Sequence, residues 1–260
     1  MGVHQRIDRV AKRQLRPLIP HDVHFPEIKQ ILHYEGKNGP DGIKRKSPAK
    51  DEPWHFINPE DPNDTALLDM ITEHQENLAA ALQEENMERA AFEAAWMAHA
   101  ITDGLTPAHH YPFEAKLEEL RGGEGIETRT SAKGKILMPG ETRLESIGNN
   151  WEFWGTKGVM TTHLSFELGI AVAISTAKLT NVHHKFNGQD IAALEAHGFR
   201  KLYVDIMNEV HAMKMYDEFQ KKGWTRHLAK ETTKELVPLI IKAVAAGWYT
   251  SIMEYERQRA

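Results

Sequence analysis

Cysteine is absent from the 260 residues, so no disulfide staples this fold and any metal site must use nitrogen and oxygen ligands. The absence is compatible with every redox compartment and decides nothing about location. Long apolar runs are missing too. No stretch approaches the roughly 20 apolar residues of a membrane span, and the opening Met1-Gly-Val-His-Gln-Arg-Ile-Asp lacks the apolar core of a secretory leader. A soluble chain without a transmembrane segment is expected, cytoplasmic as it stands and secreted if a leader has been removed. Positive charge is not in excess: 32 Lys and Arg against 37 Asp and Glu leave a formal net charge of −5. That provides no field for a long polyanion, so no stable nucleic-acid complex is expected. Internal repeats, heptads and an obvious linker are also lacking, and residues 1–260 read as one domain.

What is present is helix. A 41% hydrophobic fraction with 27% charged residues is ordinary for a globular protein, and the length is enough to bury a substantial core. Residues 3–15 put Val3, Ile7, Val10, Ala11 and Leu15 on one stripe, stopped by Pro17 and Pro20. A short helix fits 26–34. The Gly-, Pro- and Lys-rich stretch 36–62 reads as an ordered loop, of a length that is often functional. Helices are predicted from Asp64 as N-cap to about 85, over 87–103, 157–180, 188–196, 199–221 and 231–256, with Pro238 as a kink point in the last. Gly104 and Pro107 terminate the second of these. Residues 121–150 are a polar, glycine-containing insertion with room for a small hairpin or a mobile lid. The fold class is all-α, a single-domain helical bundle.

The chain also holds 15 histidines. His99 and Asp103 are four residues apart, and so are His163 and Glu167. On a helix that spacing stacks two side chains on one face, with Cβ atoms about 5–6 Å apart. Taken alone, such a pair is more often a surface ion pair than a ligand set. Here His99 follows Ala94-Ala95-Trp96-Met97-Ala98, a stretch that reads as buried, and His163 sits among Leu164, Phe166, Leu168 and Ile170. Asp103 lies in the last turn, where the helix dipole disfavours a carboxylate unless a cation accompanies it. Two pairs on two helices, with His109 and His110 just past the first, point to a metal cluster in a cleft of the bundle.

The run Ala91-Phe-Glu-Ala-Ala-Trp96-Met-Ala-His99-Ala-Ile-Thr-Asp103-Gly-Leu-Thr-Pro107-Ala-His109 resembles the core signature of the zinc-dependent phospholipase C and single-strand-specific nuclease superfamily. The second pair, His163-Leu-Ser-Phe-Glu167, follows in the family's order. Upstream, Trp54-His55-Phe56, Asp41 and His4 match the remaining positions, so the resemblance spans residues 4–167. It implies a first zinc on Asp41, His55, His99 and Asp103, and a second on His109, His163 and Glu167. A third would share Asp103, add His4 and use an N-terminal tryptophan. No tryptophan precedes His4 here, so the third site would stay empty, fill weakly, or be completed by His21 or His24. His110 is a rival to His109.

The chemistry implied is hydrolysis of a phosphate ester by a metal-bound hydroxide. Two metals about 3.5–4 Å apart lower the pKa of water and neutralise charge growing on a phosphoryl oxygen. The resemblance gives Asp41 a second role, orienting or deprotonating the attacking water. A phospholipase C-like phosphodiesterase is the favoured reading, with phospholipid as a candidate substrate. Glu52 is placed to attract a cationic headgroup, and Phe56 and Trp154 to line the cleft. A single-strand nuclease or nucleotidase, with a base stacked on an aromatic platform, is the alternative within the superfamily. A non-catalytic protein with structural zinc is the alternative outside it. The Lys44-Arg45-Lys46 run reads as solvated, or as touching phosphate at the cleft mouth. Nothing in the sequence bears on oligomeric state.

Overall fold

Six alanines let one helix run through the middle of this molecule. Helix α5 (Met87–Gly104) carries Ala90, Ala91, Ala94, Ala95, Ala98 and Ala100, all buried. Alanine is both the best helix former and small enough to let neighbours approach from every side. The structure, a computed structural model, describes residues 2–44, 46–48, 55–179 and 184–259. Helix α1 (Val3–Leu15) precedes the short helices α2 (Ile28–His33) and α3 (Pro40–Lys44), and α4 (Ala66–Gln83) comes before α5. Then follow α6 (Phe113–Leu120), α7 (Ala132–Ile136), α8 (Arg143–Trp154), α9 (Val159–Ser175), α10 (Gly188–Ala212), α11 (Met215–Lys222), α12 (Arg226–Glu231) and α13 (Val237–Arg259). No strand occurs among the described residues. The fold is all-α, as the periodicity predicts.

Helices α1, α4, α5, α10 and α13 pack on one another to make the main core. The predicted stripes hold: Ile7, Val10, Ala11 and Leu15 of α1 are buried, as are Leu67, Leu68, Ile71, Leu78 and Leu82 of α4. Trp248 of α13 is fully buried, and its indole N–H donates to the Ala94 carbonyl of α5 at 2.8 Å. That bond satisfies the one polar atom of a large apolar ring, so α13 and α5 are pinned as well as packed.

Several boundaries differ from the sequence reading, each for a local reason. Asp64 does not cap α4; its carboxylate turns back to accept the Asn58 N–H at 2.8 Å. Within 36–62 the chain forms a 3-10 turn at Gly36–Asn38 and the helix α3, which carries Asp41. The two helices expected over 188–221 are joined across a kink at Gly198 (φ 76°) and break instead before α11, where Lys214 adopts a left-handed φ of 53°. Pro238 sits at the start of α13, after a π-helical turn at Thr232–Leu236 that absorbs the irregular hydrogen bonding expected there. The insertion 121–150 holds helices rather than a hairpin. It is packed, with Met138 buried against Phe56, Phe113, Leu117, Leu120 and Phe153 in a second small core, and with the Arg121 side chain donating to the Gly134 carbonyl at 3.0 Å.

Two helical stretches, 143–175 and 226–259, are long and apolar enough to cross a membrane by length and composition. The second runs through the core, with 78% of its most apolar window buried. The first is two helices, α8 of 12 residues and α9 of 17, separated at Gly155–Gly158.

Gly104 closes α5 with a negative φ, so its role is space and not a left-handed cap. A Cβ there would collide with the Tyr203 hydroxyl and Leu67 Cδ2. Gly104→Ala is expected to lower stability by about 1–3 kcal/mol, the usual penalty for overpacking a close-packed core. A melting temperature unchanged from the parent protein would show that α10 and α4 can give way at this point.

Candidate metal centre

His99 and Asp103 project from the buried C-terminal half of α5, one turn apart, with His99 Nε2 3.3 Å from Asp103 Oδ2. The other carboxylate oxygen, Oδ1, lies 3.4 Å from His4 Nε2 on α1. Asp103 thus divides its two oxygens between imidazoles from two helices. The rings of His4 and His99 stack 4.0 Å apart at 6°. Asp41, in the first turn of α3, brings Oδ1 to 3.9 Å from His99 Nε2, and its side chain is half-exposed. After α5 the chain turns on Pro107 into a 3-10 turn, closed by His109 N–H donating to the Thr106 carbonyl at 2.8 Å. That turn swings His109 back until Nδ1 is 4.0 Å from Asp103 Oδ2.

A second group forms beside the first. His109 Nε2 and His163 Nε2 converge on one oxygen of Glu167, at 3.0 and 3.2 Å. One donor atom from each of these three residues lies within 4.8 Å of the others, close enough to share one metal ion. The His109 ring packs against both Phe56 (5.2 Å, 29°) and His163 (4.9 Å, 28°). Its Nδ1–H donates to the His55 carbonyl at 2.8 Å, which turns Nε2 toward Glu167. His163 keeps a buried Nδ1 with no hydrogen-bond partner among the described residues.

A second three-residue group, His4, Glu35 and His99, also satisfies the distance for one ion. The ring geometry of His99 favours a different division. Glu35 Oε2 approaches Nδ1 at 3.4 Å, whereas Nε2 faces Asp103 and Asp41. Glu35 therefore acts as the carboxylate that orients the imidazole and fixes which nitrogen points at the centre. Behind it, Asp8 is fully buried with neither carboxylate oxygen hydrogen-bonded among the described residues. Burial, then the Glu35 charge, push its carboxyl well above the usual carboxylate range.

The electrostatics of the centre are set by Asp103 and Glu167. Burial works against the charge on Asp103, but His99, His109 and His4 outweigh it and hold the carboxyl well below its ordinary value. Burial likewise opposes a charged His99, and Asp103 with Glu35 overrides it, so its pKa is raised well above that of free imidazole. Glu167 is held down by His109 and His163 against its own burial. For His163 burial wins, and its pKa is lowered. Buried acids matched to imidazoles in this way supply several anionic and nitrogen donors where a divalent cation can replace protons.

Most of the predicted residues are brought together. Asp41, His55, His99 and Asp103 line one recess, Lys44 reaches into it with Nζ 2.6 Å from His55 Nε2, and Met70, His74 and Trp96 form its other wall. Glu52 and Trp54 lie outside the described residues. Phe56 is not a substrate platform: it is buried, stacked on Phe113 at 5.0 Å and 4°, and walls in His109. Trp154 does not line the recess; its indole N–H donates to the Ile136 carbonyl at 2.7 Å beside the insertion. His21 and His24 are exposed and join neither group. His184, His211 and His227 pair with Glu235, Glu60 and Glu218. The sequence reading missed Asp8, Glu35, His74 and Glu93. Asp8 carried a signal, since His4 and Asp8 repeat the four-residue spacing of the two recognised pairs.

The choice between His109 and His110 is decided by direction. His110 turns the other way, its Nε2 donating to the Gly104 carbonyl at 2.9 Å, and burial pushes its pKa down to about 4. It clips the end of α5 to the following turn. His110→Asn is expected to keep the full metal content and to lose about 1 kcal/mol of stability with that bond, whereas His109→Asn loses one metal equivalent. Elemental analysis of both variants checks this, and equal metal loss in the two would overturn the assignment. No family model, curated protein or solved structure matches this chain, so the chemistry of the centre must be argued from its own side chains.

Proposed function

We propose that the chain is a zinc-dependent hydrolase of phosphate esters, a phospholipase C-like phosphodiesterase. The observation that supports it most is the convergence of His4, His99, His109 and His163 on Asp103 and Glu167, with the Nδ1 atoms of His99 and His109 held by Glu35 and the His55 carbonyl. A mixed imidazole and carboxylate set without sulfur suits zinc better than the all-oxygen cages of calcium or magnesium. Asp41, His55, His99 and Asp103 would hold one ion, and His109, His163 and Glu167 a second. A third on His4 and Asp103 remains open to a further ligand. Zinc bound there supplies Lewis acidity and makes water a nucleophile at neutral pH.

The chain's own residues divide the rest of the work. Asp41 is the exposed carboxylate at the recess and would orient the attacking water and take its proton. Lys44, whose ammonium already projects into the recess, would leave His55 to the metal and pair with a phosphoryl oxygen of the substrate.

A lipid ester is favoured over a nucleotide by the outer surface of α8 and α9. Among the described residues, the large apolar side chains that are exposed, including Leu144, Ile147, Trp151, Leu164, Leu168 and Val172, all fall within residues 136–172. Leu164, Leu168 and Val172 form one exposed stripe on the helix that also carries His163 and Glu167, on the face next to them. Exposed apolar surface gathered in this way, with tryptophan in it, suits partial insertion into a lipid interface. Phe56, by contrast, is too deeply packed to stack a base.

Two expectations follow. The purified protein should carry at least two zinc ions and hydrolyse bis-p-nitrophenyl phosphate. Asp103→Asn should lose metal and turnover together, and Asp41→Asn should lose turnover while keeping most of the metal. Metal-free protein with an unchanged melting temperature would sink the zinc assignment, and bound zinc without turnover on lipid or nucleotide esters would leave a structural metal. The second expectation concerns the surface: Ile147→Glu with Trp151→Glu should weaken co-sedimentation with phosphatidylcholine vesicles at least tenfold, since each change removes a side chain worth about 1.5–3 kcal/mol when buried. Undiminished vesicle binding, or preferential cleavage of single-stranded DNA, would count against the lipid substrate.

A further inference from the structure

His74 belongs to neither metal group, yet it lines the same recess as Asp41, His99 and Asp103. It projects from α4 one turn beyond Met70, and both side chains face the wall made by Trp96 of α5. Its Nδ1 is 2.5 Å from Glu93 Oε2, and Glu93 is fully buried. Arg89, one turn earlier on α5, pairs with the other oxygen of Glu93 from the solvent side. The His74 side chain keeps only 13% of its surface exposed. With Nδ1 committed to a buried carboxylate, the tautomer is set and Nε2 is the nitrogen left for a ligand. The buried indole N–H of Trp96, on the same wall, has no hydrogen-bond acceptor among the described residues. The recess lined by Asp41, His99 and Asp103 is therefore also lined by an oriented imidazole, His74, whose Nε2 has no partner among the described residues.

We propose that His74, oriented by Glu93, is the proton donor to the leaving oxygen of the phosphate ester, an inference that rests on the phosphohydrolase reading above. The attacking water forms its bond to phosphorus from the side of Asp41, which takes the proton that water gives up. As the bond from phosphorus to the leaving oxygen breaks, its electron pair stays on that oxygen, which takes the proton from His74 Nε2. Solvent then reprotonates His74 and receives the proton from Asp41. The Glu93 carboxylate balances the imidazolium before transfer. Met70, which lines the same recess, supplies an apolar surface for the attached alkyl group.

A general acid matters in proportion to the basicity of the group it protonates. An alkoxide needs the proton and a nitrophenolate does not. The experiment compares the zinc-loaded parent protein with His74→Gln on two phosphodiesters, bis-p-nitrophenyl phosphate and dihexanoylphosphatidylcholine, and measures zinc content and melting temperature of each. The expected result is unchanged zinc and a loss on the alkyl ester that exceeds the loss on the nitrophenyl ester by about 100-fold. Glu93→Gln, which leaves His74 in place but loosens its orientation, should shift the same ratio in the same direction by about 10-fold. Equal losses on both esters, or loss of zinc from His74→Gln, would overturn the proposal and leave His74 a structural partner of Glu93. If the zinc-loaded parent protein cleaves neither ester, the hydrolase reading falls and this inference falls with it.

Discussion

The centre depends on one carboxylate placed where a helix would not choose to have it. Asp103 is buried in the last turn of α5, where the free carbonyls already carry negative partial charge. Removing a carboxylate from water costs several kcal/mol, which only nearby positive charge or strong hydrogen bonding offsets. Three imidazoles meet that need: His99 from the same helix, His4 from α1 and His109 from the turn that follows. Each comes from a different part of the chain, so the requirement of one buried charge draws three elements to one point. A divalent cation satisfies the same requirement more fully than protons do.

The precision of the arrangement comes from the residues behind the ligands. Glu35 holds His99 and the His55 carbonyl holds His109, each through Nδ1, so both rings present Nε2 inward. Phe56, expected from the sequence to line the substrate cleft, instead forms with Phe113 the wall that packs against His109 and His163. The packed insertion contributes Met138 to that wall. Helix α9 carries His163 and Glu167 on one face and the exposed Leu164, Leu168 and Val172 on the adjacent one, so one helix joins the proposed lipid surface to the candidate metal group.

Much of this was legible in the residue pattern because helical geometry is local. A four-residue spacing makes neighbours of His99 and Asp103, or His163 and Glu167, wherever the helix ends up, and the alternation of apolar positions shows which face turns inward. The same logic applied to His4 and Asp8 shows a third pair, whose second member is buried behind the centre. Boundaries were less legible where a backbone irregularity decides them, as at Gly198, Lys214 and the π-helical turn before α13. Those depend on how neighbouring helices pack, which no short window of sequence contains.

By itself the sequence determined the all-α class, the core stripes of α1 and α4, and the residue types available for metal, since all of these follow from composition and from contacts within a few turns. Only the tertiary structure decided the rest: that His109 and not His110 faces Glu167, that Glu35 orients His99, that Phe56 is a wall, and that His74, paired with the buried Glu93, lines the recess. The reason is physical. Each of these is a contact between side chains on separate elements, set by the direction of a ring nitrogen or the depth of a packed ring. Such directions are fixed only when the helices have closed around a common core.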